Sequence, residues 1–286
     1  MRVETVAVIG AGLMGRGIAY AAALGGYRTL IHDVTPGALD RAVGRIRQDL
    51  EEGVARGKVE PAARDQALSR LGATAGIEAA AAGADFVIEA VPEDMRLKLA
   101  TFARLDALVR EHVVLATNTS ALSVTEIAAA VQRPARVVGM HFFNPVPKMK
   151  LVEVVKALET SDEAVATTEE VARRMGKETV VVKDSAGFVT SRVNAMIGNE
   201  AFAMLQEGVA SARDIDKALK LGLNHPMGPF EMVDLVGLDT RLAVLEFLHR
   251  SLGEKYRPSP LLVQYVKAGR LGRKVGRGVY DYDGEA

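Results

Sequence analysis

A histidine and a glutamate stand twelve residues apart in the stretch His141-Phe142-Phe143-Asn144-Pro145, followed by Leu151-Val152-Glu153-Val154-Val155. Imidazole is the side chain whose ordinary titration lies nearest neutrality, so a histidine held by a carboxylate can take a proton from a hydroxyl and return it. Glu153 interrupts an apolar run, where a buried carboxylate needs a partner. Read as a dyad, the carboxylate fixes the imidazole tautomer and stabilises its protonated form, the arrangement that alcohol oxidation requires while hydride leaves the carbinol carbon. The competing reading of Glu153 is a salt bridge to a nearby lysine such as Lys150. Of the other histidines, His32, His112 and His249 read as structural, whereas His225, in Asn224-His225-Pro226-Met227-Gly228-Pro229, is the rival because a turn would present it. Ser120, in Asn118-Thr119-Ser120, either hydrogen-bonds the reacting oxygen or caps a helix that starts near Ser123.

Hydride needs an acceptor, and the N-terminus offers a place for one. Val6-Ala7-Val8-Ile9 runs into Gly10-Ala11-Gly12-Leu13-Met14-Gly15, and Asp33 closes the next apolar run. A strand, a glycine turn, a small-residue helix and an acid about twenty residues on are the parts of a dinucleotide site. Gly10 permits the tight turn, Gly12 lets the backbone approach a pyrophosphate, and Gly15 lets the helix lie close to the strand. The amides at Leu13 and Met14 face the anion from the helix N-terminus. An acid at position 33 accepts from the adenosine ribose hydroxyls and repels a 2′-phosphate, which favours NAD over NADP.

Elements must deliver these groups to one place. Strand-like runs at 6–9, 28–31, 84–90, 112–117, 136–142, 151–156 and 178–182 alternate mostly with helical stretches, including an excursion at about 36–71. Alternation of that kind predicts an α/β fold with a doubly wound, mostly parallel Rossmann-type sheet. From Gly187 the pattern is helical, at about 187–207, 211–220, 229–251 and 260–269, giving a second, smaller all-α domain. The expected division is a cofactor domain at 1–183 and a helical domain at 184–286. Ligands of such a sheet sit beyond the carboxyl ends of the strands, where Glu93, Asn118 to Ser120 and His141 to Asn144 fall. The helical domain has more apolar surface than it can bury alone, so a homodimer through it is expected.

Composition narrows the partners. Among 286 residues, Lys plus Arg and Asp plus Glu are 36 each, so charge gives no reason to expect nucleic acid or a membrane surface. Cysteine is absent, which removes disulfides, thiolate metal sites and cysteine nucleophiles and fits a cytoplasmic location; no metal is expected. Neither a leader nor a membrane span is expected. Arg45, Arg47, Arg56 and Lys58 in the excursion read as a solvated charged face, with contact to a phosphorylated ligand as the alternative.

Six further segments extend the pattern: EAVPED (89–94), NTSALS (118–123), HFFNPVPKMKLVEVV (141–155), DSAGFVTSR (184–192), NHPMGP (224–229) and GRKVGRGVYDY (272–282). Together with GAGLMGRGIA (10–19) they make the chain resemble the L-3-hydroxyacyl-CoA dehydrogenases, nearest to the short bacterial 3-hydroxybutyryl-CoA dehydrogenases. The resemblance implies NAD-dependent, reversible oxidation of an acyl-CoA substrate. It implies His141 as general base, Glu153 as its orienting carboxylate and Ser120 as the ligand of the substrate oxygen. It also implies Asp33 on the adenosine ribose, Glu93, Lys98 and Asn144 around the cofactor, and C-terminal helices that dimerise and close over the acyl chain. Where many relatives have asparagine before the arginine of the GF-x-x-NR segment, this chain has Ser191, with Asn194 beyond Arg192, so Ser191 is expected to supply part of that substrate contact. Two other readings share the residues: a dehydrogenase of a free hydroxy acid or sugar acid, and a non-catalytic NAD-binding module.

Overall fold

The structure, a computed structural model, describes residues 2–282. The chain divides into two compact units, Met1–Ser185 and Ala186–Ala286. The division falls two residues past the boundary read from sequence, and Asp184 belongs to the first unit, where its Oδ2 accepts from Ser123 Oγ and Thr125 N at 2.8 Å each.

The first unit is β1 (Thr5–Ile9), α1 (Leu13–Leu24), β2 (Arg28–His32), α2 (Ala38–Ala55), α3 (Pro61–Arg70), β3 (Leu71–Thr74), α4 (Ile77–Ala81), β4 (Phe86–Glu89), α5 (Met95–Leu108), β5 (Val114–Thr117), α6 (Val124–Ala128), β6 (Val137–Phe142), β7 (Leu151–Lys156), α7 (Asp162–Arg174) and β8 (Glu178–Lys183). Among the described residues the strands form one sheet in the order β3-β2-β1-β4-β5-β6-β7-β8. Strands β4, β5 and β6 are buried along their whole length, as a sheet covered on both faces requires. Strand order reverses between β1 and β4, and a crevice opens there at the carboxyl ends.

The pairing is parallel except between β6 and β7. Residues 143–150 return the chain as a hairpin, so β7 runs back along β6 with Glu153 directly opposite His141. Residues directly opposite on an antiparallel pair project to the same face with closely spaced Cβ atoms. A mostly parallel sheet therefore contains one hairpin, and that hairpin carries the acid–base pair.

Two details depart from the sequence reading. Leu71-Gly72-Ala73-Thr74 ends the helical excursion as β3, a weak β-former held by its pairing to β2. In the second unit the expected helix at 229–251 is two, α10 and α11, because Gly237 takes φ 105° and breaks the ladder. That unit comprises α8 (Thr190–Glu207), α9 (Ala212–Gly222), α10 (Pro229–Val236), α11 (Leu238–Leu252) and α12 (Pro260–Lys267) around a core of Phe202, Phe230, Leu245 and Leu248.

Candidate active site

The glycine turn obeys two different demands. A Cβ on Gly15 would stand 1.8 Å from the Gly10 carbonyl oxygen, and one on Gly10, whose φ is +110°, would stand 2.5 Å from Ala90 O at the end of β4. Both glycines are required by the protein's own packing. Gly12 is different: its φ is −67° and a Cβ there would meet nothing within 4 Å. The space in front of it at the α1 N-terminus fits a pyrophosphate, whose oxygens the first-turn amides of α1 at Leu13 and Met14 would hold. Gly12→Ala is therefore expected to shift Tm by less than ~3 °C, as its unfolded-state entropy gain offsets the lost N-cap preference. NADH affinity is expected to fall about tenfold or more, ~1.4 kcal/mol. Gly15→Ala should lose both fold stability and binding. Thermal melts and NADH fluorescence titration of the two variants check this, and equal binding by Gly12→Ala and wild type would refute the assignment.

Asp33 follows β2 and bonds the turn itself. Its Oδ2 accepts from Ala11 N and its Oδ1 from Thr35 N, each at 2.7 Å. Partial burial pushes this carboxyl up, but the two backbone donors outweigh it and hold it below the ordinary aspartate range. A carboxylate has lone pairs left for two ribose hydroxyls after these bonds, and its charge disfavours a 2′-phosphate.

A cleft of about 930 Å³ lies over the carboxyl ends of the strands. Gly12, Asp33, Glu93, Ser120, His141 and Asn144 line it. Gly10, Leu13, Met14 and Asn118 also border it, whereas Gly15 is packed beneath the turn. The expected first-unit residues are thus brought to one cleft, with three exceptions: Gly15, and Lys98 and Glu153, which are buried.

Glu153 is fully buried, and its Oε2 meets His141 Nδ1 at 2.7 Å. The dyad is formed, and His141, not Lys150, is the partner seen on Glu153 Oε2. Phe143 stands against the imidazole with ring centroids 4.5 Å apart, and Phe142 N donates to Asn118 Oδ1 at 3.0 Å. These contacts fix the chain immediately after His141. Asn118 N in turn donates to Glu89 O at 2.8 Å, so β4, β5 and β6 are tied together at the wall.

Sequence reasoning missed the network under Ser120. Glu89, fully buried, accepts from Lys98 Nζ at 2.8 Å, Thr117 Oγ1 at 2.7 Å and Val91 N at 2.7 Å. Lys98 Nζ also lies 3.5 Å from Glu93 Oε2, while Glu93 Oε1 accepts from Thr119 Oγ1 at 2.6 Å, Ser120 N at 2.9 Å and Ser120 Oγ at 3.2 Å. Lys98 therefore acts as a buried anchor, and Glu93 as the clasp of the turn that carries Ser120. A glutamate ending an apolar strand, with lysine nine residues on, was the available signal. The capping alternative for Ser120 is removed, because Ser123 Oγ accepts from Glu126 N and caps α6.

His32 and His249 have other partners. His32 Nδ1 meets Thr74 O at 3.1 Å, and His249 Nε2 meets Glu254 Oε1 at 3.1 Å on the surface. His225 lies in the turn after α9, its backbone N donating to Leu219 O. Ser191 and Asn194 stand half-buried on the first turns of α8 in the second unit. In the helical excursion Arg45 pairs with Asp49 at 2.8 Å and Arg56 with Glu52 at 3.3 Å, while Arg47 and Lys58 are exposed, so this face is charged and solvated. Among the described residues no cluster fit to hold a metal ion occurs, and no helix is long and apolar enough to cross a membrane.

Comparison with known proteins gives concordant matches. Residues 5–185 match the family model for the 3-hydroxyacyl-CoA dehydrogenase NAD binding domain, and residues 187–282 match the model for its C-terminal domain. A probable 3-hydroxybutyryl-CoA dehydrogenase of Bacillus subtilis is 46% identical over 284 residues, 99% of each chain. A 3-hydroxybutyryl-CoA dehydrogenase of Bradyrhizobium diazoefficiens is 42% identical over 99% of this chain and 96% of its own. The crystal structure of (S)-3-hydroxybutyryl-CoA dehydrogenase from Ralstonia eutropha superposes with a TM-score of 0.96 at 42% identity, covering 99% of this chain and 100% of that one.

Proposed function

Because the chain belongs to the 3-hydroxyacyl-CoA dehydrogenase family, we propose that it carries out reversible, NAD-dependent oxidation of (S)-3-hydroxyacyl-CoA to 3-oxoacyl-CoA, with short chains such as 3-hydroxybutyryl preferred. The observation that carries this reading is the 2.7 Å pairing of His141 with a fully buried Glu153, on the wall of the cleft that the glycine turn also borders.

Each residue then has a task. With Nδ1 engaged by Glu153, His141 uses Nε2 to take the proton of the 3-hydroxyl, and returns it in the reverse direction. Glu153 fixes the tautomer and balances the positive charge that the ring acquires. Ser120 turns its hydroxyl from Glu93 to the reacting oxygen, and the clasp on its backbone keeps it in place while it does so. Asp33 and the α1 amides hold the two ends of the adenosine diphosphate moiety. NAD, when bound, supplies the hydride acceptor. Contacts to the acyl chain are assigned to the second unit, with Ser191 and Asn194 among them. Exposed Leu221, Val209 and Leu223, at 76, 64 and 66%, support a homodimer through that unit.

Oxidation of NADH by acetoacetyl-CoA and by free acetoacetate tests the substrate. The CoA thioester is expected to be favoured in kcat/KM by about 10² or more, since remote binding energy is spent at the reacting centre. Preference for the free acid would move the function to hydroxy-acid oxidation. Sedimentation of the same preparation should report about twice the 30.5 kDa chain mass.

A further inference from the structure

Lys177, between α7 and β8, is buried at 8% exposure. Its Nζ donates to Val146 O at 2.5 Å and to Met149 O at 2.8 Å, and among the described residues no carboxylate lies within ion-pair distance of it. Removing an ammonium from water without a counter-charge is costly, and burial pushes this one below the ordinary lysine range. Methionine has nearly the same length and would pack in such a place without that cost. What the ammonium adds is a grip on two carbonyls at fixed spacing, at the ends of the turn Val146-Pro147-Lys148-Met149.

That turn belongs to the hairpin connection between His141 and Glu153. Its first half carries Phe143, against the imidazole ring, and Asn144, on the cleft wall. Pro145 O accepts from the amides of Lys148 and Met149 at 3.0 Å each, closing the turn on itself. Val146 is buried against α1: a Cβ on Gly17 would approach Val146 Cβ to 2.9 Å. The helix that begins at the glycine turn thus rests on the residue whose carbonyl Lys177 holds. One ammonium links the α7–β8 junction, the hairpin turn and the cofactor-turn helix.

We propose that Lys177 is a positioning residue for the reaction, setting the hairpin turn so that His141 and Asn144 face the cofactor side of the cleft in register with the glycine turn. The proposal rests on the dehydrogenase reading above, so wild-type turnover of acetoacetyl-CoA with NADH is the control that tests that reading separately. In Lys177→Met, kcat is expected to fall about tenfold while the KM for NADH stays within about twofold. Lys177→Gln, whose amide retains two donors, should keep more of the kcat than the methionine variant. A role in packing alone predicts the opposite order, because methionine is the closer match in shape. Hydrogen exchange of the holoprotein adds a readout free of activity: amides of 143–150 should exchange faster in Lys177→Met, with β1 and β4 unchanged. Methionine equal to or better than glutamine in kcat, or unchanged exchange in 143–150, overturns the proposal.

Discussion

Replacing His141 by alanine is expected to lower turnover of acetoacetyl-CoA by roughly 10² to 10⁴, the range a general acid–base contributes, while NADH still binds. The glycine turn and Asp33 are made by β1, α1 and β2, whereas the imidazole Nδ1 is engaged by Glu153 on β7. Loss of the ring does take the histidine partner from a buried carboxylate, and removing one member of a buried pair costs up to ~3–5 kcal/mol. A lower Tm therefore accompanies the alanine variant. His141→Gln separates the two effects, because its amide donates to Glu153 but does not accept and return a proton at neutral pH. It should fold nearly as well as wild type and be as inactive as the alanine variant. Wild-type turnover in a folded His141→Gln protein would sink the assignment.

Glu153→Gln is the second large effect, a fall in kcat on the order of 10² or more. The carboxylate accepts only, which obliges Nδ1 to carry the proton and leaves Nε2 as the basic nitrogen. An amide both donates and accepts, so the ring can settle in the other tautomer, with its proton on the wrong nitrogen. It also no longer balances the charge that the imidazole gains in the reaction. The exchange removes a buried charge without changing side-chain shape, so stability should change by less than about 2 kcal/mol. A preserved Tm and NADH affinity with lost kcat is the expected signature, and a kcat within threefold of wild type would show that the carboxylate is dispensable.

Most of the candidate site was legible because it is local. The glycine turn, Asp33 and the strand ends at Asn118 and His141 depend on neighbours in sequence and on where a parallel sheet puts its ligands. The family resemblance then named roles that the residues alone left open, Ser120 above all. What could not be read depends on partners distant in the chain. Leu71-Gly72-Ala73-Thr74 becomes a strand only because β2 offers it an edge. Lys98 looked like a wall residue and is an anchor, since its ammonium finds Glu89 across the β4–α5 turn and is sealed off at 1% exposure. Asp184 looked like the first residue of the helical part, yet it accepts from Ser123 Oγ and Thr125 N at the start of α6, some sixty residues earlier in the chain. Gly237 was lost inside an apparently continuous helical pattern, because a glycine in a helix and a glycine that ends one have the same letter.

The hairpin has a consequence for how the acid–base pair comes into being. Joining two residues costs chain entropy that grows with the length of the loop between them, and here the loop is only the stretch 143–150. The dyad is therefore among the contacts in the sheet that cost least chain entropy to assemble. By contrast the glycine turn packs on Ala90, the residue after β4, whose carbonyl abuts Gly10 from eighty residues away. Proton-transfer machinery and cofactor cradle thus differ in the chain entropy that their closure costs, and the cradle's is the larger.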